Sequence, residues 1–297
     1  MTNTNNIGPQ YTVEQLQSLI KKVSFHKQIC LYHHKFGPKT YTQHQFVGLL
    51  ILYAKSNLSL RGFIKYLHES RWPNWLNLKE IPCKSSIHNH FLRIGLSIIR
   101  ILNRFVIKTQ KATTMAIDST GLDSNRASKH YEKRILRDYR PYLKLSILAQ
   151  NTKPFLIHDY VCGISRIADV RQAKPLVRRL QKGKIIFADK AYDCNYLMEM
   201  VNDKGSELYC PIRNMTHQSV KGRFRRRLKK KFDKDFYHKG RNPIEMIMFL
   251  LKNTGLVIRA KKLRNQIKEV AWKILAYNIE RLSKSLQLLF RVKRLWT

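Results

Sequence analysis

The sequence predicts an α/β protein, a mixed β-sheet flanked by helices, preceded by an all-helical N-terminal region. Two features of its 297 residues predict this. Up to about residue 110, apolar residues recur at three- and four-residue spacing, the mark of packed helices. From residue 113 the period changes. Three short apolar runs are followed by a helix–strand–helix–strand alternation, which is the pattern of an α/β layer.

In chain order, Val13 to Val23 and Gln43 to Ala54 carry the helical spacing. Ser59 is placed to cap a helix in which Leu60, Phe63, Ile64 and Leu67 line one face. After the Trp72-Pro73-Asn74-Trp75 turn and Ile81-Pro82, Ser85 or Ser86 starts another helix. It would turn Ile87, Phe91, Ile94 and Ile98 inward, and His88, His90 and Arg93 outward. Short helices followed by a basic one are compatible with a helix-turn-helix DNA reader, and equally with other helical modules. Met115 to Ile117, Tyr142 to Leu148 and Phe155 to Val161 read as strands. Ala168 to Leu180 reads as a helix on the spacing of Val170, Ala173, Val177 and Leu180. Lys184 to Ala188 is a strand, Asn195 to Val201 a helix, Glu207 to Ile212 a strand, and Ile244 to Leu289 is helical again. The predicted organisation is a helical region at 1–110 and an α/β region at 111–297, with a basic insertion at 214–236.

Composition narrows the function. A hydrophobic fraction of 43% with 10% aromatics belongs to a folded protein. Fifty-seven Lys and Arg against 19 Asp and Glu leave a net charge of +38. That excess calls for a polyanionic partner, nucleic acid first, with an anionic membrane surface as the rival. The longest apolar runs, Phe46 to Tyr53 and Met246 to Leu251, fall far below the roughly 18–20 residues of a membrane span. Met1 to Gln10 is polar and lacks the pattern of a secretory signal. Five scattered cysteines without a CxxC pair fit a reducing cytosol. His26, Cys30, His33 and His34 imitate half of a metal site, but no second half follows, and a basic, histidine-rich helix is the preferred reading. From Lys221 to Lys231, eight of eleven residues are basic and none is acidic. Such a run is either an exposed loop or a contact to the DNA backbone.

Against this background three acids stand out by position. Asp118 ends the apolar run Thr114 to Ile117, and Asp189 ends Ile185 to Ala188. Glu245 opens the helical stretch Pro243 to Lys252. Neighbouring parallel strands present their last side chains to one crevice, so two such aspartates are good anchors for divalent cations. Phosphodiester cleavage needs charge neutralised on the phosphate, a nucleophile activated and a leaving oxygen stabilised, and carboxylate-held metals serve all three needs. Each acid also has a plain structural reading. Asp118, before Ser119-Thr120-Gly121, can organise a turn. Asp189 can pair with Lys190 at the surface. With Asn242 as N-cap and Pro243 at the first helical position, Glu245 can close a capping box.

The flanking residues carry a resemblance. Ala116-Ile117-Asp118-Ser119-Thr120-Gly121-Leu122 resembles the first-aspartate motif of insertion-sequence transposases of the DDE superfamily. Ala188-Asp189-Lys190-Ala191-Tyr192-Asp193 resembles their second motif: aspartate, one residue, a small residue, then an aromatic. Tyr237, Arg241, Glu245 and Lys252 resemble the third motif of families four and five of those elements. Three and six residues separate the last three correctly, while the tyrosine lies one residue too far from Arg241. Ile81 to Ile87 and Ala276 to Leu282 look like the family's N-terminal helical segment and closing helix.

The resemblance implies an RNase H-like fold in which Asp118, Asp189 and Glu245 form a catalytic triad holding two Mg²⁺ ions, with Mn²⁺ as a substitute. It implies an enzyme that binds terminal inverted repeats, nicks double-stranded DNA at the element's end and joins the freed 3′-hydroxyl to target DNA. Arg241, Lys252 and Tyr237 are the expected DNA contacts near the triad, with Arg223, Arg225, Arg226, Arg227, Lys229, Lys230 and Lys231 of the basic run. Lys252 has the alternative of pairing with a triad carboxylate when metal is absent. Asp123, Asp138 and Asp193 are weaker candidates, since none ends an apolar strand. A homodimer or larger assembly on paired ends, in a prokaryotic cytoplasm and on the nucleoid, completes the expectation. Its rivals are a catalytically inactive DNA-binding derivative and an RNase H-like nuclease that only hydrolyses.

Overall fold

The computed structural model of the chain describes residues 11–33, 36, 39–108, 110, 112–122, 142–164, 167–213, 220–253 and 256–295. Residues 1–10, His34, Asp123, Asp138 and residues 214–219 of the expected basic insertion lie outside that set. The chain divides into two compact units, Met1–Thr109 with Lys262–Thr297, and Gln110–Lys261.

The first unit is helical, as its spacing predicts: α1 (Tyr11–Ser24), α2 (Gln43–Ser56), α3 (Leu60–His68), α4 (Trp72–Trp75), α5 (Lys84–Arg93), α6 (Leu96–Ile107) and a closing helix, Leu263–Leu295. Thr42 and Gln45 form a capping box at the start of α2. Ser59 caps α3 by accepting from the Gly62 amide, as expected. The start of α5 falls at Lys84 rather than at Ser85 or Ser86, with Cys83 in the cap position. Ile94 and Gly95 are extended and break the helix, so Ile98 belongs to α6 and not to the face of Ile87 and Phe91. Residues 25–33, expected as a histidine-rich helix, form turns instead.

The sequence reading grouped the closing helix with the second half of the chain; it packs against α1, α2 and α6 instead. The reason lies in its middle. Val270, Ala271, Trp272, Ile274, Leu275 and Ile279 are buried on nearly every side, which needs several helices around them. Buried Asn278 donates to Asn103 of α6 at 2.7 Å, and Lys268 donates to the carbonyls of Phe91 and Leu92 at the end of α5.

The second unit is built on a five-stranded sheet: β1 (Thr114–Leu122), β2 (Leu143–Gln150), β3 (Ile157–Ile164), β4 (Ile185–Ala188) and β5 (Glu207–Tyr209). The spatial order is β3-β2-β1-β4-β5. The β1–β2 and β2–β3 pairs are antiparallel, while β1–β4 and β4–β5 are parallel. This mixed sheet with helices packed on it is the RNase H-like fold that the resemblance implied. Helix α7 (Asp169–Arg178) packs on β2 and β3, and α8 (Asn195–Asn202) on β5. The basic run forms helix α9 (Arg223–Lys231), which packs on α8 through buried Leu228 and half-buried Phe224. The loop expected there is corrected by that apolar pair at i, i+4.

Helix α10 (Lys234–Asn253) lies on β1 and β4. Its true N-cap is Asp233, whose Oδ1 accepts from the amides of Asp235 and Phe236 at 2.8 and 3.0 Å. Pro243 therefore lies inside the helix, and the expected start at Asn242 is wrong. One intrahelical hydrogen bond is forfeited at that proline. What keeps the helix in place is packing. Gly240 lets the backbone of α10 press onto the ring of Phe187 in β4, where any added Cβ would collide with the ring.

Candidate active site

The ladder between β1 and β4 aligns Ile117 with Ala188, so the next residues, Asp118 and Asp189, leave adjacent parallel strands at the same level. Asp118 ends only that ladder. On its other side β1 continues in register with β2 as far as Leu122. Each aspartate uses one oxygen locally. Asp118 Oδ1 accepts from the Ser119 amide at 2.9 Å, and Asp189 Oδ1 from the Lys190 amide at 2.6 Å, where Asp189 caps a 3-10 turn over Lys190–Tyr192. The turn expected after Asp118 is not formed, because β1 runs through Ser119-Thr120-Gly121 to Leu122, whereas Asp189 caps a turn and contacts Lys190 through its amide.

Glu245 sits mid-helix, so the capping-box reading is overturned. Its side chain is 70% exposed. Tyr237, Arg241 and Glu245 follow one another at four-residue spacing and share one face of α10. That explains the extra residue after Tyr237: in a helix, i+3 and i+4 both return to the same face. Tyr237 itself is buried against Phe232, which raises its phenol pKa and leaves little of the ring for DNA.

Arg241 ties the third motif to the first. Its Nη2 donates to Asp118 Oδ2 at 3.2 Å, and its Nη1 lies 3.6 Å from Glu245 Oε1. Its Nε and Nη1 are buried without a hydrogen-bond acceptor. Burial pushes the Asp118 carboxyl above its usual pKa range. The Arg241 guanidinium and the Ser119 amide pull it back, and the charges of Asp189 and Asp169 push it up again.

Among the described residues, no three His, Cys, Asp or Glu side chains converge as a metal cage. The donor chemistry nevertheless fits a hard divalent cation. Asp118 and Asp189 offer carboxylate oxygens side by side, and a cation would relieve the crowding of negative charge at Asp118. The model of the family described as "Transposase DDE domain" matches residues 109–279, more than half of the chain. The chain belongs to that family.

Membership makes it a DDE transposase, an enzyme of metal-dependent DNA cleavage and strand transfer. No curated protein matches it in sequence. Two solved transposase structures align over most of the chain. The cryo-EM structure of the piggyBac transposase synaptic complex with hairpin DNA has a TM-score of 0.41 at 11% identity, covering 95% of this chain and 77% of that one. The crystal structure of a pre-cleavage Mos1 transpososome has a TM-score of 0.21 at 9% identity, covering 94% and 98%.

The remaining expected residues of this DDE transposase sort by exposure. Arg223, Arg226, Arg227, Lys229, Lys230, Lys231 and Lys252 are exposed. Lys231 pairs with Glu207. Arg225 is turned inward, donating Nε and Nη2 to the two oxygens of Asp193, each at 2.7 Å, and the Asp193 side chain has no exposed surface. Asp193 is thus an anchor for α9, and Arg225 has little left to offer DNA. The sequence reading missed Asp169, Ser146 and Gln172. Ser146 carried a signal, as a small polar residue inside the apolar stretch of β2. No helix among the described residues is long and apolar enough to cross a membrane.

Proposed function

We propose that this chain is the transposase of a prokaryotic insertion sequence, with Asp118, Asp189 and Glu245 as its catalytic carboxylates. The observation that carries the reading is the β1–β4 register. It brings the first two acids to one level, while Arg241 reaches from Glu245's helix to Asp118. Two Mg²⁺ ions, replaceable by Mn²⁺, would be held by the three carboxylates and would supply an activated water and charge neutralisation at the phosphate.

The chain's own residues do the rest. Asp118 and Asp189 each accept from the neighbouring amide through Oδ1; Oδ2 of Asp118 faces Arg241, which a bound cation would have to share or displace. Arg241 faces Asp118 through Nη2 and Glu245 through Nη1, and its Nε, which has no acceptor, is the donor left for a phosphate of the bound DNA. The exposed cations of α9, together with Lys252, would track the backbone on either side of the cut. Helix α5 exposes Lys84, Ser85, His88, Asn89 and Arg93, donors suited to the edges of bases in a terminal inverted repeat. The freed 3′-hydroxyl then attacks a target strand at the same carboxylates, in a homodimer or larger assembly on paired ends, on the nucleoid.

The test uses DNA carrying the element's ends, with Mg²⁺ or Mn²⁺. The wild type should nick the end and join it to target DNA, and Asp118→Ala should do neither. Salt-sensitive binding without cleavage would mean an inactive derivative. Cleavage without joining of a pre-nicked end would mean a hydrolytic nuclease.

A further inference from the structure

The β1–β4 ladder ends at Ile117↔Ala188, one residue short of the two aspartates. Asp118 and Asp189 themselves are not paired in that ladder. The first link past the end of the ladder is made by side chains. Ser119 Oγ, next to Asp118, lies 2.8 Å from the hydroxyl of Tyr192, which closes the turn begun by Asp189. The Tyr192 amide donates to the Asp189 carbonyl at 3.0 Å, which ties the residue carrying the ring to Asp189.

The link has a direction. Ser146 Oγ donates its only proton to Gln172 Oε1 at 2.5 Å. At the 2.6 Å contact between Ser119 and Ser146, Ser119 must therefore be the donor. Its own proton is then spent, so Tyr192 must donate to Ser119. The chain Tyr192, Ser119, Ser146, Gln172 runs one way across four elements, and three of its members are at most 2% exposed. Adjacent strand residues point to opposite faces of the sheet. Arg241 of α10 therefore holds Asp118 on one face, while Ser119 is held on the other by Tyr192 of the turn after β4 and by Ser146 of β2, which Gln172 of α7 orients.

We infer that Tyr192 and Ser119 are positioning residues for the metal-holding carboxylates: their hydrogen bond, oriented by Ser146 and Gln172, sets the separation of Asp118 and Asp189. The inference rests on the reading that these two aspartates bind the divalent ion.

The test is a Mn²⁺ titration of the full chain, followed by calorimetry, with Tyr192→Phe, Ser119→Ala, the double variant and Asp118→Asn. Tyr192→Phe removes one hydroxyl and leaves the ring and the Ser119–Ser146–Gln172 bonds in place. It should weaken Mn²⁺ binding about tenfold, the usual scale for a group that orients a metal ligand. Ser119→Ala should do the same, the double variant should be no worse than either single one, and Ser119→Thr, which keeps the hydroxyl, should bind like wild type. The metal concentration for half-maximal cleavage should shift in parallel. Unchanged Mn²⁺ affinity in both Tyr192→Phe and Ser119→Ala, with Asp118→Asn no longer binding, would overturn the positioning role alone. Wild-type Mn²⁺ binding by Asp118→Asn would overturn the carboxylate reading beneath it.

Discussion

Arg241 on α10 donates through Nη2 to Asp118 Oδ2 on β1 at 3.2 Å, joining residues 123 positions apart in the chain. The pair does not cancel the burial of Asp118, whose carboxyl still sits above the usual carboxylate range. A raised folded-state pKa means that the ionised form costs stability at neutral pH. Asp118→Asn, which keeps the shape and removes the charge, should therefore leave the melting temperature equal or higher while abolishing metal-dependent cleavage. Thermal melts and a cleavage assay on one preparation check this. A clear loss of melting temperature would mean that the Arg241 ion pair outweighs burial.

Glu245 allows a clean contrast between a cap and a functional acid. A capping glutamate replaced by alanine costs helix stability, whereas an exposed mid-helix position favours alanine slightly. Glu245→Ala should change the unfolding free energy by less than about 0.5 kcal/mol. Cleavage and strand transfer should be lost. Denaturant unfolding beside the activity assay separates these readings.

Much of this was legible in the sequence, and the limits have physical causes. Asp189 could be placed at a strand end because an apolar run ending in a charge is a local signal, and β4 stops at Ala188. The same signal at Asp118 marks only the end of the pairing with β4, since β1 runs on to Leu122 beside β2. The start of α10 was misread because Asn242-Pro243 is good start chemistry, whereas Asp233 and the contact between Gly240 and Phe187 decide the matter. That contact depends on two elements meeting, which no single stretch reveals. The closing helix was grouped with the wrong unit for the same reason: periodicity shows that a helix is buried, and not against what. Arg225 looked identical to its neighbours in the basic run, and only its partner Asp193 distinguishes it.

The basic helix should split accordingly. Arg225→Ala removes the only side-chain cation paired with buried Asp193 among the described residues and leaves it the Arg213 amide, which should cost about 3 kcal/mol of stability. Arg226→Ala and Lys230→Ala should leave stability unchanged. Each should lower the slope of log binding constant against log salt by about 1. Filter binding over a salt series, paired with urea unfolding, checks both halves. Equal behaviour of Arg225 and Arg226 would reject the division.

His158 supplies a pH dependence. Burial first, and then the Lys184 charge, lower its pKa to about 4, and its Nε2 lies 3.0 Å from the Gln150 amide oxygen, suited to a neutral ring that donates. In the unfolded chain it titrates near 6.5. Between about pH 4 and 6.5 the unfolded state binds the extra proton, so stability rises with pH across that window and falls on acidification. The loss should approach about 3 kcal/mol by pH 4. His158→Gln, which cannot titrate, should flatten that part of the profile. An unchanged profile in urea unfolding from pH 7 to 4 would assign the acid sensitivity elsewhere.

Gly240 is the sharpest test of how the site is assembled. In an ordinary helix, glycine to alanine gains about 0.5–1 kcal/mol. At Gly240 the new methyl would enter the ring of Phe187 in β4, the strand that leads to Asp189. Overpacking of this kind costs about 1–3 kcal/mol, so the sign should reverse. Lifting α10 from the sheet would relieve the clash and draw Arg241 and Glu245 away from Asp118. Gly240→Ala should therefore lose stability and cleavage together, and Phe187→Leu, which frees space under the helix, should recover part of both in the double variant. Recovery of stability without recovery of cleavage would show that the ring also sets the position of Asp189, and a stabilised single variant would reject the close approach altogether.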